Sequence, residues 1–68
     1  MDWNKVVTQL GKDSRVHFDI ANKYLADENP QGAQIYIVIS EILLALHNAL
    51  ANGLGTYHPV DLPDARDR

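Results

Sequence analysis

The stretch 33–51, AQIYIVISEILLALHNALA, constrains the fold more than any other part of the sequence. On a helix with about 100° per residue, its large apolar side chains fill one continuous half of the circumference. A surface helix usually carries an apolar stripe only somewhat wider than 100°. We therefore expect this helix to lie at the centre of an assembly, contacted by its own chain and by another. The expected oligomer interface consists of Ile35, Val38, Ile39, Ile42, Leu43, Leu46 and Leu50.

The first predicted helix covers residues 3–25 and begins after Asp2, a favoured N-cap residue. Its apolar positions fall within about 120°, which is the width of a core-facing stripe. Gly11 interrupts this helix at a cost of about 1 kcal/mol relative to alanine, and either a close helix crossing or simple tolerance would account for it. The stripe consists of Trp3, Val6, Val7, Leu10, Ser14, His17, Phe18, Ala21, Tyr24 and Leu25.

The second predicted helix covers residues 30–52 and has clear signals at both ends. Asn29 is a favoured N-cap, and Pro30 at the first helical position loses no hydrogen bond. Gly53 is suited to the left-handed conformation that ends a helix, with Leu54 folding back as its hydrophobic contact. A linker of about four residues makes the two helices antiparallel neighbours. The fold class is therefore all-α, an antiparallel helical hairpin.

The residues after the hairpin differ in composition, since 55–68 contain two prolines, no helical period and a charged end. We expect the hairpin domain to cover residues 1–54 and the remainder to form an extended, partly flexible tail. Tyr57, Val60 and Leu62 are its candidate anchors, and it is expected to fray after about Pro63. The tail can dock on its own bundle or on a partner, and self-docking is slightly favoured because a small core benefits from added cover.

The size of the chain favours self-association. A chain of 68 residues forms one domain with a marginal core, and such chains commonly depend on disulfides, a metal or oligomerisation. Cysteine is absent, which removes disulfides and thiolate metal sites. Two hairpins packed through their second helices would make a four-helix bundle, and a two-fold dimer is the commonest arrangement.

The net charge, the N-terminal sequence and Glu41 bear on whether the chain binds nucleic acid or a membrane. The formal net charge is −3, which disfavours nucleic acid because phosphate binding needs a basic surface. The N-terminal MDWNKVV lacks the basic and apolar regions of a signal peptide. Glu41, near the middle of the apolar helix, would be costly in lipid. We expect a soluble, cytoplasmic protein with no membrane contact.

One polar layer is the strongest candidate for chemistry. Asp13 and His17 share a face of the first helix, one turn apart. If the turn is centred near residues 28–29, antiparallel pairing places His17 opposite Glu41. Such a layer could bind a metal or small ligand, or carry acid–base chemistry. More commonly, a single imidazole at a helix interface is hydrogen-bonded and sets register, and we favour that interpretation.

No motif for catalysis or cofactor binding accompanies this layer. The chain lacks Glu-x-x-His and His-Glu-x-x-His spacings, a nucleophile elbow and a phosphate-binding glycine loop. It resembles small secreted WXG-type hairpins only in outline, because their Trp-x-Gly lies at the turn, whereas Trp3 opens the first helix here. Gln34, Glu41 and Asn48 lie seven apart, with Ser40 and His47 beside them. They form either a polar ladder that specifies a partner helix or, as we favour, the water-facing side of the second helix.

The sequence thus predicts a non-enzymatic protein–protein interaction module, without metal or cofactor, that acts as a homo-oligomeric bundle. A regulator, adaptor or inhibitor would fit this description. The alternative is a bundle that binds a small ligand or metal at Asp13, His17 and Glu41.

Overall fold

The computed structural model describes residues 1–62 and contains two α-helices, α1 (Trp3–Ala26) and α2 (Pro30–Leu54). The helices pack against each other, which confirms the predicted all-α hairpin. The extents along the principal axes are 41, 29 and 14 Å. The smallest extent is close to the diameter of a single helix with its side chains. The hairpin is therefore one layer of two helices.

Both helices begin at the predicted caps. The Asp2 side chain accepts a hydrogen bond from the Lys5 backbone N–H at 3.3 Å. The Asn29 side chain accepts one from the Gly32 N–H at 3.0 Å, and Pro30 follows at the first helical position. Each cap satisfies one of the donors that a helix N-terminus leaves without a partner.

The turn between the helices is a Schellman motif. The Asn29 N–H donates to Tyr24 O at 2.8 Å and the Glu28 N–H donates to Leu25 O at 3.0 Å. Glu28 takes the left-handed conformation with φ 58°, a position that glycine usually fills. The reversal of the chain therefore begins within the last turn of α1.

The second helix ends later than predicted. It continues through Gly53 to Leu54, and Gly55 takes the left-handed conformation with φ 68°. The Gly55 N–H donates to Ala51 O at 3.3 Å and closes the final turn. Both glycines can supply a left-handed cap, and the later position keeps the half-buried Leu54 within the helix.

Most of the completely buried side chains are small or polar. Val7 is the only large side chain among residues 1–62 that is completely buried. The apolar core is completed by Ala21 and Ala33, and the remaining buried side chains are polar: Thr8, Ser14 and Ser40. The Ser14 hydroxyl donates to Ser40 O at 2.8 Å and joins the two helices. The large aliphatic residues of α2 are either half-buried or exposed, so the hairpin removes few large apolar side chains completely from water.

The register of the hairpin differs from the prediction by about one helical turn. Ser14 lies opposite Ser40, and His47 reaches Val7 with Nδ1 2.7 Å from the carbonyl oxygen. His17 therefore faces Tyr36, where the prediction placed Glu41. The Schellman turn folds the end of α1 into the reversal, which moves its centre toward the N-terminus from the predicted position.

Candidate interaction surface

The exposed side of α2 carries its largest aliphatic side chains. Ile35 is 61% exposed and Ile42 is 56% exposed, and Val38 and Leu46 are also exposed. The three other residues predicted for an oligomer interface, Ile39, Leu43 and Leu50, are half-buried along the edge of the same surface. The single chain thus exposes four of the seven residues of the predicted interface and covers the other three in part.

An aromatic cluster borders this surface near the turn. Tyr36 stacks on Tyr24 with ring centroids 5.4 Å apart, and His17 lies on the other side of Tyr36 at 6.0 Å. Gly32 makes room for the cluster, because a Cβ at that position would lie 2.8 Å from Tyr24 Cδ1. A stacked aromatic pair contributes about 0.5–1.5 kcal/mol beyond the area it buries, so the cluster supports the contact between the helices near the turn.

The structure does not bring the three residues of the predicted polar layer together. His17 Nδ1 donates to the Asp13 backbone carbonyl at 2.6 Å, while the Asp13 side chain accepts from Gln9 at 2.8 Å. Glu41 is exposed and lies in a groove beside Ser14 and Phe18. Among residues 1–62, no three His, Asp or Glu side chains form a group that could hold a metal. His17 serves a local helix contact, and we propose no ligand at this layer.

The predicted polar side of α2 divides into an exposed part and a buried part. Gln34, Glu41 and Asn48 are exposed, as expected of a water-facing line. Ser40 is buried and His47 is half-buried, so the interpretation of these two as water-facing is wrong. They form the contact with α1 because the register places them opposite small residues of the first helix.

His47 packs directly on a glycine. A Cβ at Gly11 would lie 3.0 Å from His47 Nδ1 and 3.1 Å from Cε1. The imidazole donates to Val7 O at 2.7 Å, and its ring meets the ring of Tyr57 edge-on at 5.6 Å. Gly11 is therefore explained by a close crossing of a side chain over the helix. The contact of His47 with α1 could not be predicted from the sequence, because it depends on the helix register that the turn sets.

The tail docks on the hairpin from Tyr57 to Leu62. Thr8 organises this contact: its hydroxyl donates to Asn4 O at 2.6 Å and accepts from the Val60 N–H at 3.2 Å and from Tyr57 Oη at 3.1 Å. A hydroxyl has one donor and two acceptor sites, so Thr8 is fully satisfied. The predicted fraying after Pro63 lies outside the described residues.

Two further bonds hold the tail on the outer side of α1. The His58 N–H donates to Asn4 Oδ1 at 3.3 Å, and Lys12 Nζ donates to Leu62 O at 3.1 Å. Thr8 is buried because the tail covers it. The tail thus shields α1 and leaves the apolar surface of α2 uncovered.

A cleft of about 460 Å³ lies between the tail and the two helices, bordered by Lys12, Arg15, His47 and Tyr57. Its volume is within the range of small-molecule sites. Three of these four groups are already engaged: Tyr57 with Thr8, His47 with Val7 and Lys12 with Leu62. The polar groups of the cleft hold the tail in place, which leaves few of them free for a ligand.

The exposure of α2 also bears on membranes. By length and composition, α2 is apolar enough to cross one, and only 6% of its most apolar 18-residue window is buried. The core helix of a soluble protein passes the same test but is mostly buried. Within the described chain, α2 is thus an apolar helix that α1 and the tail cover only in part.

The described fold is a two-helix hairpin with a docked tail. Comparison of the chain with protein-family models, with curated proteins and with solved structures gave no match. The surfaces and contacts of the chain's own residues are therefore the basis for inferring its function.

Proposed function

We propose that this chain is a small, non-enzymatic protein–protein interaction module that acts as a homo-oligomer. Two copies pair through their second helices into a four-helix bundle, and the module regulates, adapts or inhibits another protein from the outer surfaces of that bundle. The single observation that carries the proposal is the inverted distribution of side chains. Small and polar residues fill the contact within the hairpin, while Ile35, Val38, Ile42 and Leu46 lie in water.

Energetics support an assembled state. Fully covering a Val, Leu or Ile side chain is worth about 1.5–3 kcal/mol, so each half-exposed residue of α2 gains about 1 kcal/mol when a partner covers it. A core of Val7, Ala21 and Ala33 gives a single hairpin little to resist unfolding. A chain of this size generally needs a further source of stability, and cysteine is absent. Burial between copies is the source that this surface offers.

The charge distribution favours a protein cover over a lipid one, and a cytoplasmic location. The first helix lies alongside α2 and exposes Lys5, Lys12, Arg15, Asp19 and Lys23. If α2 crossed a membrane, α1 would carry these charges into it at a cost of about 2.5–3.5 kcal/mol each. Recovery of the expressed chain in a washed membrane pellet would contradict this part of the proposal.

Nucleic acid is not proposed as a partner. The basic residues of α1 have Asp19 among them, and the chain is acidic overall, with a formal net charge of −3. Binding to phosphates depends on a surplus of positive charge, which this chain does not supply. A gel shift at low salt tests this, and DNA retention that falls steeply with added salt would contradict it.

Sedimentation equilibrium across a dilution series tests the self-association, with two matched variants. Ile42→Glu places a carboxylate in the proposed interface, and we expect it to raise the dissociation constant at least about 100-fold, because a buried unpaired charge costs several kcal/mol. Leu44→Glu is the control, since Leu44 is 47% exposed on the same helix but lies beside α1. We expect it to associate like the parent chain. A parent chain that is monomeric at every concentration would refute the proposal.

A further inference from the structure

Three polar side chains of α1 each bind one backbone group of the docked tail. The donor–acceptor distances are 3.3, 3.2 and 3.1 Å in chain order. The tail supplies a backbone N–H to the first two and a backbone carbonyl to the third. We call these pairs the backbone contacts: Asn4 with His58, Thr8 with Val60, and Lys12 with Leu62.

The spacing of the backbone contacts matches the geometry of an extended chain. The members on α1 are four residues apart, which is about 6.0 Å along a helix. The members on the tail are two residues apart, which is about 6.6 Å along an extended segment. Helix and tail run in the same direction and stay aligned over all three contacts. Since every residue other than proline offers the same N–H and carbonyl, this alignment suits extended segments in general.

The tail does not fill the surface that it covers. Within residues 1–62, a depression of about 390 Å³ lies beside Leu62, and Val6 and Leu10 line it together with that side chain. Leu62 is half-buried there. Apolar atoms that face a gap lose the contacts that a well-fitting neighbour would supply. A larger apolar side chain at this position would therefore bury more surface than Leu62 does.

We propose that the outer side of α1 is a recognition site for an extended segment of a partner protein, and that the tail occupies it as an internal competitor. The segment carries a tyrosine, a residue with a free N–H three positions later, and a large apolar side chain two positions after that. Tyr57, Val60 and Leu62 show this pattern in the tail. Main-chain bonds supply affinity and alternate side chains supply specificity, as is usual for extended peptides. The inference rests on the proposed function, in which an outer surface binds another protein, but it does not require self-association.

The tail is held in a way that allows it to leave the site locally. The bonds made by Lys12 and by the His58 N–H are exposed, so water competes for two of the three backbone contacts. The tail joins α2 through Gly55, which ends the helix in the left-handed conformation. Release therefore requires no change within either helix. Segments with few buried contacts open at a lower free energy than the whole fold.

A partner segment suits this site better than the tail of a second copy. A short tether gives the chain's own tail an effective concentration on the order of 1 mM. The tail of a second copy makes the same contacts, so it cannot displace the tethered tail below about that concentration. A segment that fills the depression beside Leu62 gains affinity by about fourfold for each CH₂ group it buries. Only such a segment overcomes the advantage of the tether.

A synthetic peptide with the sequence of residues 55–62 and blocked ends is the probe for this site. Nuclear magnetic resonance of the full chain follows the Thr8 amide for binding and the Val60 amide for release of the tail. The receiving chain carries Tyr57→Phe/Leu62→Ala, which weakens its own tail and leaves α1 unchanged. We expect this chain to bind the probe at least about threefold more tightly than the parent chain does, because the internal competitor is weaker.

Altered probes test the individual contacts without any change in the folded chain. N-methylation at residue 60 removes the N–H that Thr8 accepts, and we expect it to weaken binding at least about tenfold. N-methylation at residue 61, which takes no part in the backbone contacts, is the matched control and should leave the affinity unchanged. Leu62→Phe in the probe should tighten binding at least about threefold. Thr8→Val in the receiving chain should weaken the original probe about as much as the first N-methylation does.

Each outcome supports or overturns a stated part of the proposal. An unchanged Thr8 amide at about 5 mM probe, well above the effective concentration of the tail, overturns the site. Equal affinity of the parent and Tyr57→Phe/Leu62→Ala chains overturns the role of the tail as competitor, and so does a smaller sedimentation mass of the variant, which would show that copies exchange their tails. A Leu62→Phe probe that binds no better overturns the depression as a subsite. A monomeric parent chain refutes self-association and leaves this site intact, and circular dichroism checks that each variant is helical.

Discussion

The packing of His47 on Gly11 gives a sharp test of the hairpin contact, through Gly11→Ala with and without His47→Ala. In a helix interior, alanine is favoured over glycine by about 1 kcal/mol. In this chain the new Cβ would lie 3.0 Å from His47 Nδ1. The ring would have to move by a few tenths of an ångström to reach an ordinary contact distance.

The ring has little freedom to move. Its Nδ1 donates to Val7 O at 2.7 Å, and the Tyr57 ring lies against it at 5.6 Å. Loss of the hydrogen bond costs about 0.5–1.5 kcal/mol, and a strained rotamer costs about as much again. These costs cancel or exceed the gain in helix propensity. We therefore expect Gly11→Ala to leave the free energy of unfolding unchanged or to lower it by about 1 kcal/mol.

The same substitution should stabilise the His47→Ala background by about 1 kcal/mol, because the obstacle is gone and the propensity gain remains. The expected coupling energy is therefore about 1–2 kcal/mol. Urea unfolding followed by circular dichroism measures all four chains, at one protomer concentration because association adds to stability. Equal effects of Gly11→Ala in both backgrounds would refute the close contact.

Two further predictions concern the tail and the turn. Thr8→Val keeps the shape of the side chain but removes the hydrogen bonds to Tyr57 and Val60. We therefore expect amide hydrogen exchange at Val60 to accelerate at least about tenfold, while exchange in α2 is unchanged. Unchanged protection at Val60 would contradict the docked tail. Glu28→Gly relieves the backbone strain of a left-handed residue with φ 58°. We expect a gain of about 1 kcal/mol in the free energy of unfolding. A loss of stability would show that the Glu28 side chain contributes more than its backbone strain costs.

The helix ends could be predicted because their signals are local. Asp2, Asn29 and Pro30 each act within one helical turn, and the structure places all three as expected. The C-terminal end of α2 differs from the prediction, since the helix passes the predicted Gly53 and Gly55 supplies the left-handed cap. The choice between them depends on the packing of Leu54, which no local pattern records.

The register and the tail could not be predicted because they depend on distant residues. The reversal runs through the Asn29 to Tyr24 bond, and a left-handed glutamate at position 28 carries no sequence signal for it. A shift of one turn moves His17 from Glu41 to Tyr36 and removes the predicted polar layer. The burial of Thr8 likewise could not be predicted from α1 alone, because the segment that covers it lies about fifty positions later in the chain.

The small residues between α1 and α2 have a consequence for how the chain stays folded. Ala21, Ala33, Ser14 and Ser40 allow the helices to approach closely, and the Ser14 bond fixes their register, but such a contact removes little apolar surface from water. The large aliphatic side chains that could supply that energy lie on the exposed side of α2, among them Ile35, Ile42 and Leu46. If two copies cover this side of α2 as proposed, folding and assembly form one coupled equilibrium. We then expect a substitution at Ile42 to lower the free energy of unfolding although the side chain is mostly exposed within its own chain.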